Sequence, residues 1–384
     1  MGKSSMKKLW QRPFVRRGAL IGALILASLA GIEWYNHFLK WHLWLRMTGA
    51  LKVHDLPVNT KGYIIEELPF YVGASFVRGH DVYLIDGQGI VYKSDDRVPV
   101  SALVKLGDAK TTPFLIFVSS RGTIFVSGPR QPLLRSIDGG ITWEKSHDWS
   151  FWRMTEDNTN GTLYAGNYSP RSDPVFNARV FRSTDEGRTW QTIFEDERLD
   201  HVHSIRWDAK YRRLYISTGD TSRYRGQAYS DDEGRTWHWL NTGSRQGHTD
   251  LAISDHFVFW ASDDNLGRLI RAPRDPAQDG KTITWAPYHH VWWVVAEKQQ
   301  IYAGTYTDHP RGFSGAFLLA SADEGETWQK LMEVPKNKYG IGSLNAESRA
   351  LSADGWLYFS TGTVKSFRVR RAPRVMERNV PGGR

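Results

Sequence analysis

SDDEGRTW, residues Ser230 to Trp237, decides the fold because it does not occur alone. SIDGGITW runs from Ser136 to Trp143, STDEGRTW from Ser183 to Trp190, and SADEGETW from Ser321 to Trp328. The first three octets begin 47 residues apart, and the fourth begins 91 residues after Ser230. That gap leaves room for one more unit, whose octet has worn down to Thr284 and Trp285. An earlier worn copy starts at Ser94 and Asp96 and lacks the Gly and the Trp. A fixed period of about 40 to 50 residues marks an architecture in which each repeat is one supersecondary unit.

The residue types in the octet suit a turn. Ser and Asp side chains hydrogen-bond the backbone of a tight turn, and Gly supplies a left-handed conformation at little cost. The Trp is expected to pack in the core. Ser136, Asp138, Gly140 and Trp143 therefore read as scaffold. So do Ser183, Asp185, Gly187 and Trp190, then Ser230, Asp232, Gly234 and Trp237, and finally Ser321, Asp323, Gly325 and Trp328. Between octets lie short segments bounded by Gly, Asp and Asn: VYLIDG from Val82, TIFVSG from Thr123, TLYAGN from Thr162, RLYISTG from Arg213, FVFWAS from Phe257, IYAGTY from Ile301 and WLYFSTG from Trp356. Each reads as one strand of a repeating four-stranded unit.

The pattern S-x-D-x-G-x-T-W resembles the Asp-box, or BNR repeat, of sialidases, sortilin-like receptors, some xyloglucan hydrolases and photosystem assembly propellers. The resemblance implies an all-β β-propeller of four-stranded blades; the seven segments above make it seven-bladed, and the hydrophobic N-terminal run is expected to precede it as a helix. In that family the box joins the third and fourth strands of a blade, away from the ligand face. The tail after the last repeat is too polar to make an outer strand, so GYIIEEL, Gly62 to Leu68, is expected to supply it and close the ring.

Composition limits the function. The 384 residues include 17 Trp and no Cys, so a large core must form without disulfides or thiolate metal sites. The formal net charge of +9 sits in two tails: residues 1–17 hold six Lys or Arg and no acid, and residues 364–384 hold seven against one Glu. The body between them has a slight acidic excess, so it lacks the basic footprint of a nucleic-acid-binding protein. No nucleic-acid partner and no cofactor is expected.

The N-terminal region reads as an address. After the basic residues 1–17, GALIGALILASLAGI runs uncharged from Gly18 to Ile32 and is followed by the Trp-rich EWYNHFLKWHLWLRM. The expectation is a transmembrane signal-anchor over residues 18–35, an aromatic juxtamembrane segment over 36–54, a propeller over 55–375 and a tail over 376–384, with the propeller outside the cytoplasm. The alternative is a cleaved signal peptide, with Ser28 and Ala30 near the cut and the propeller secreted.

Strand alternation lists a functional face. The loops Gly166–Ala178, Gly219–Gln227 and Gly304–Gly315 lie on it, opposite the octets, and contribute Arg223, Arg225, Asp308 and Arg311. His147, His201, His203, His248, His289 and His290 fall just before or at the start of innermost strands, and Arg153, Arg206 and Arg349 fall on inner strands. Imidazoles gathered at a channel mouth suit metal binding, proton transfer or anion binding. No metal is expected, since no spacing such as H-x-x-x-H supports one. A sialidase would carry Arg-Ile-Pro ahead of its first blade, and this chain has none. The first reading is a glycan- or protein-binding module. The alternative is a glycoside hydrolase drawing two carboxylates from Asp173, Asp220, Asp250, Asp308 and Glu347.

Overall fold

The computed structural model describes Leu24, residues 27–29, 31–32, 51–52 and 56–373, save 169–176, 221–225, 243–248, 264–266, 276, 279, 281, 286–288, 308–314, 337–341, 347 and 363–364. The described residues of 56–373 form β-strands and the turns that join them. Their unit is an antiparallel four-strand meander, seen in Val202–Asp208, Arg213–Thr218, Gly226–Ser230 and His238–Thr242, each paired with the next. The same meander recurs in separate sheets that begin at Val72, Leu115, Phe151 and Asp250. An eight-stranded sheet holds two further meanders, joined where Tyr306 and Thr307 pair with Ser343 and Gly342.

The second strands are largely buried. Thr162–Asn167 and Arg213–Thr218 have no residue outside the core. That is the pattern of a strand covered on both faces by neighbouring sheets. The core is accordingly a series of clusters between sheets, such as Leu115, Phe117, Phe125 and Leu133 with Phe151, Leu163 and Phe181.

The ring closes on itself. Tyr63–Glu67 pairs antiparallel with Ser366–Arg371, Ile65 opposite Val369 and Glu66 opposite Arg368, so residues from the two ends of the repeat region share one sheet. That last sheet then meets the first. Leu68, Val72, Val82 and Leu84 pack with Trp356 and Tyr358, and the Ser366 hydroxyl accepts the Val72 N–H at 2.8 Å.

The octets make the turns that the residue types called for. In Ser230–Trp237 the Ser230 hydroxyl accepts the Gly234 N–H at 2.8 Å, and Asp232 accepts the Thr236 N–H at 2.8 Å and its hydroxyl at 2.7 Å. Glu233 (φ 63°) and Gly234 (φ 91°) are both left-handed, the requirement of a type I′ turn. A large side chain at 233 bears that strain because its carboxylate is tied to the preceding sheet, where Arg182 reaches it at 2.9 Å. Glu186 and Glu324 are tied likewise, their carboxylates accepting the Ser119 and Ser254 hydroxyls, and their backbone carbonyls accept Arg135 and Arg271, each at 2.9 Å. The octets thus fasten neighbouring sheets together.

The Trp expectation needs correcting. Trp328 is buried, but Trp143, Trp190 and Trp237 are half-buried at the edges of the clusters. Trp143, Trp237 and Trp328 each donate Nε1–H to their own octet glycine's carbonyl, whereas Trp190 donates to the Ser146 hydroxyl of the preceding sheet. Arg349 is a second correction. It follows the strand Gly342–Asn345 and lies in the connection to Leu357–Thr361, not on an inner strand.

The anchor expected at 18–35 falls almost wholly outside the described residues. Leu24, residues 27–29 and residues 31–32 are helical, and among the described residues no helix is long and apolar enough to cross a membrane.

Candidate ligand-binding site

Four first strands carry the same irregularity. The pairing register slips between Val72 and Ala74, Phe151 and Arg153, Val202 and Ser204, and Val291 and Trp293. The bulged residues are Gly73, Trp152, His203 and Trp292. A bulge adds one unpaired residue and re-aims its side chain. Here it brings three large rings together. Trp152 meets His203 edge-on at 5.6 Å and Trp292 at 6.0 Å, and Tyr168 lies 4.5 Å from Trp152. Tyr306 extends the cluster, 5.6 Å from Trp292. Trp152, Tyr168, Trp292 and Tyr306 are half-buried, so a continuous aromatic surface keeps part of its area in solvent.

The pairing register also fixes which end of the ring this is. Val202 pairs with Thr218, beside Gly226, whereas Leu214 pairs with Ser230, the first residue of an octet. His203 is therefore at the opposite end of its sheet from Asp232. His201 and His203 are buried, 4.6 Å apart, and both face Asp220: His203 Nε2 is 3.0 Å from Oδ1 and His201 Nε2 is 3.7 Å from Oδ2.

One step further along the first strands lies a buried charge cluster. Asp250 is fully buried and accepts the Ser204 hydroxyl at 2.8 Å and the Val294 N–H at 3.1 Å. Arg349 Nε stands 2.8 Å from its Oδ2 and Arg206 Nη2 stands 3.4 Å from its Oδ1, the first an ion pair too poorly aligned for a good hydrogen bond. Arg153 joins by charge, its guanidinium lying 4.9 Å over the Trp152 ring. Burial works to raise the Asp250 pKa, but Arg349, Arg206 and Arg153 together hold it below the ordinary carboxylate value. Burial pushes the Arg206 pKa down to about 9 against the pull of Asp250, and Arg349 and Arg153 add to the fall. Three guanidinium groups around one carboxylate leave the cluster cationic. Beyond it, a cavity of about 310 Å³ is lined by Phe76, Phe117, Arg153, Arg206, Trp207 and Arg349, residues nearer the octet end of the first strands.

The structure brings only part of the expected histidine set together. His201 and His203 meet. His289 is buried against Phe317, with Nε2 2.7 Å from the Gly315 carbonyl, and His290 Nδ1 contacts the Asp263 carbonyl. His147 ends the outer strand Glu144–His147, where its Nδ1 accepts the Trp149 N–H at 3.0 Å; that makes it a turn residue, not one opening an inner strand. His248, Arg223, Arg225, Asp308 and Arg311 lie outside the described residues, as do Asp173 and Glu347. Sequence reading passed over Trp152 and Trp292. Part of the signal was there: in FWRM Trp152 is the second residue of its strand, the place His203 takes in its own sheet, while in VWWV Trp292 is the third residue of the strand that opens at His290.

Comparison with known proteins places the fold. No protein-family model and no curated protein matches the chain. Among solved structures it resembles a GH74 xyloglucanase from Xanthomonas campestris, at 16% identity and a TM-score of 0.51 over 70% of this chain and 47% of that one. It also resembles YCF48 bound to D1 peptide, at 13% identity and a TM-score of 0.54 over 84% and 98%. A third is an oligogalacturonate lyase from Vibrio parahaemolyticus, at 11% identity and a TM-score of 0.55 over 81% and 92%. The chain spans about half the length of the GH74 enzymes it matches. The neighbours are β-propellers, and a β-propeller is what this chain folds into.

Proposed function

We propose that this chain is a non-catalytic, glycan-binding Asp-box propeller of seven four-stranded blades, carried outside the cytoplasm by its N-terminal segment. One observation carries the reading: Trp152, Tyr168, Trp292 and Tyr306 form a continuous, partly exposed aromatic surface at the end of the ring opposite the octets. Aromatic rings with one apolar face in solvent suit the apolar faces of sugars, and their low conformational entropy makes them efficient contact surfaces. The cationic cluster beneath favours ligands bearing acidic groups.

The chemistry of Asp250 weighs against hydrolysis. A glycosidase needs one carboxyl protonated at working pH and a second poised beside the scissile bond. Asp250 is kept ionised by three arginines, and Asp220 faces His201 and His203. The test is a glycan array of neutral and acidic oligosaccharides probed with the full chain, with reducing ends assayed in parallel. Binding without new reducing ends supports the reading. New reducing ends would make the chain a hydrolase, and binding confined to peptides would make it a protein-binding propeller. Reporter fusions at residues 17 and 60 test the anchor: only the second is expected to be active outside the cytoplasm.

A further inference from the structure

We propose that His201, His203 and Asp220 form a binding site for a divalent cation, most suited to Zn²⁺. The inference does not depend on the identity of any glycan or peptide ligand. Two imidazoles and one carboxylate are a recurrent donor set for an ion that keeps an open coordination position. In this chain three ligand atoms, one from each residue, lie within 4.8 Å of one another. His203 Nε2 stands 3.0 Å from Asp220 Oδ1 and His201 Nε2 stands 3.7 Å from Oδ2, near the roughly 3.3 to 3.6 Å edge of a tetrahedron whose metal–ligand bonds are about 2.0 to 2.2 Å. One ion between the three thus needs only small side-chain shifts.

The surroundings hold the donors in place. The bulge at His203 aims its ring out of the strand pairing, and glycine at 219 leaves room for that ring, which a Cβ there would meet. The Gly219 N–H donates to the His201 carbonyl at 3.2 Å, so the two strand ends that carry the ligands are clamped. Tyr168 lies 4.8 Å from His201 and Trp152 stands edge-on to His203, an aromatic shell that limits ring rotation. The imidazoles are buried, whereas the Asp220 side chain is 47% exposed, so a bound ion would have its free position on the solvent side, beside the aromatic surface. That position suits water or an oxygen donor of a ligand.

The competing arrangement is a metal-free one in which the imidazoles pair with Asp220 directly. Titration of the chelator-treated full chain, purified without a histidine tag, with Zn²⁺ alone separates the two. The expected result is one ion per chain in calorimetry, a higher melting temperature with Zn²⁺, and at least tenfold weaker binding in Asp220→Asn and in His201→Gln. Co²⁺ in place of Zn²⁺ is expected to give the visible absorption of a four-coordinate site. Absence of stoichiometric binding by the wild-type chain overturns the proposal, and so does equal Zn²⁺ affinity in Asp220→Asn. If either variant fails to fold, its partner variant and the wild-type stoichiometry still decide.

Discussion

The indole rings of Trp152 and Trp292 stand 6.0 Å apart although two complete sheets separate theirs along the chain. Such a contact requires the first strands of all these sheets to converge on one axis. It also requires both side chains to leave the plane of their strands, which the two bulges accomplish. Replacing either Trp with Ala is therefore expected to weaken ligand binding at least tenfold while costing only about 1 to 2 kcal/mol of stability, since both rings are half-buried. Affinity and urea midpoint, measured on the same protein, check both halves. Unchanged affinity would move the ligand elsewhere.

Asp250 makes the opposite prediction. It holds two arginines directly, a third by charge, a hydroxyl and a backbone N–H, all away from solvent. Asp250→Ala leaves uncompensated guanidinium groups in the interior and is expected to cost about 3 to 5 kcal/mol. Chemical unfolding tests this. A loss under about 1 kcal/mol would mean that water or a bound anion compensates the arginines.

The scaffold was the more legible part of this chain because its chemistry is local. An octet closes its hydrogen bonds within eight residues, so Ser230, Asp232 and Gly234 announce their turn by spacing alone. Closure was legible too, since an apolar GYIIEEL preceding the first repeat has an evident partner in an unfilled last sheet. The site was less so. Asp250 and Arg349 are 99 positions apart and meet only because their sheets are brought round an axis. The bulges that expose Trp152 and Trp292 shift register by one residue, and alternation of apolar and polar residues carries no mark of such a shift.

The octet carboxylates should govern acid stability. Hydrogen bonds from the Thr142 hydroxyl and N–H hold the Asp138 pKa at about 2, and the Thr236 N–H and hydroxyl do the same for Asp232, again at about 2. Both values lie below the ordinary 3.8, so their contribution is complete above that value and is lost as pH falls through about 2. Partial burial opposes the shift at Asp185 and Asp323, yet their threonines still lower them. Melting temperature is expected to be flat from about pH 7 to 5 and to fall between about pH 4 and 2, less steeply in Asp138→Asn. A variant as acid-sensitive as the wild type would remove the octets from the explanation.

Burial ranks the octet tryptophans. Trp328 is 7% exposed and packs beside Phe259, whereas Trp190 is half-buried over Phe125 and Phe151. Trp328→Ala is expected to cost about 3 to 5 kcal/mol, and Trp190→Ala about 2. Urea midpoints in the reverse order would show that the Trp190 hydrogen bond to Ser146 in the preceding sheet, not burial, sets the cost.

Ring closure is the most demanding test of the fold. Tyr63 and Ile65 pack against the core of the eight-stranded sheet, Ile64 and Leu68 against the cluster that joins the last sheet to the first, and Glu66 pairs with Arg368 at 2.6 Å. Deleting residues 60–68 removes all of these contacts and leaves Ser366–Arg371 as an open edge, a template for pairing with other chains. The deletion is expected to lower the urea midpoint of the whole protein in one cooperative step and to promote aggregation. A synthetic GYIIEEL peptide offers the missing strand in trans, and it is expected to restore part of the lost stability in proportion to its concentration, as any ligand of the folded state must. A truncated chain as stable as the wild type, or one indifferent to the peptide, would show that the strand decorates the ring without closing it.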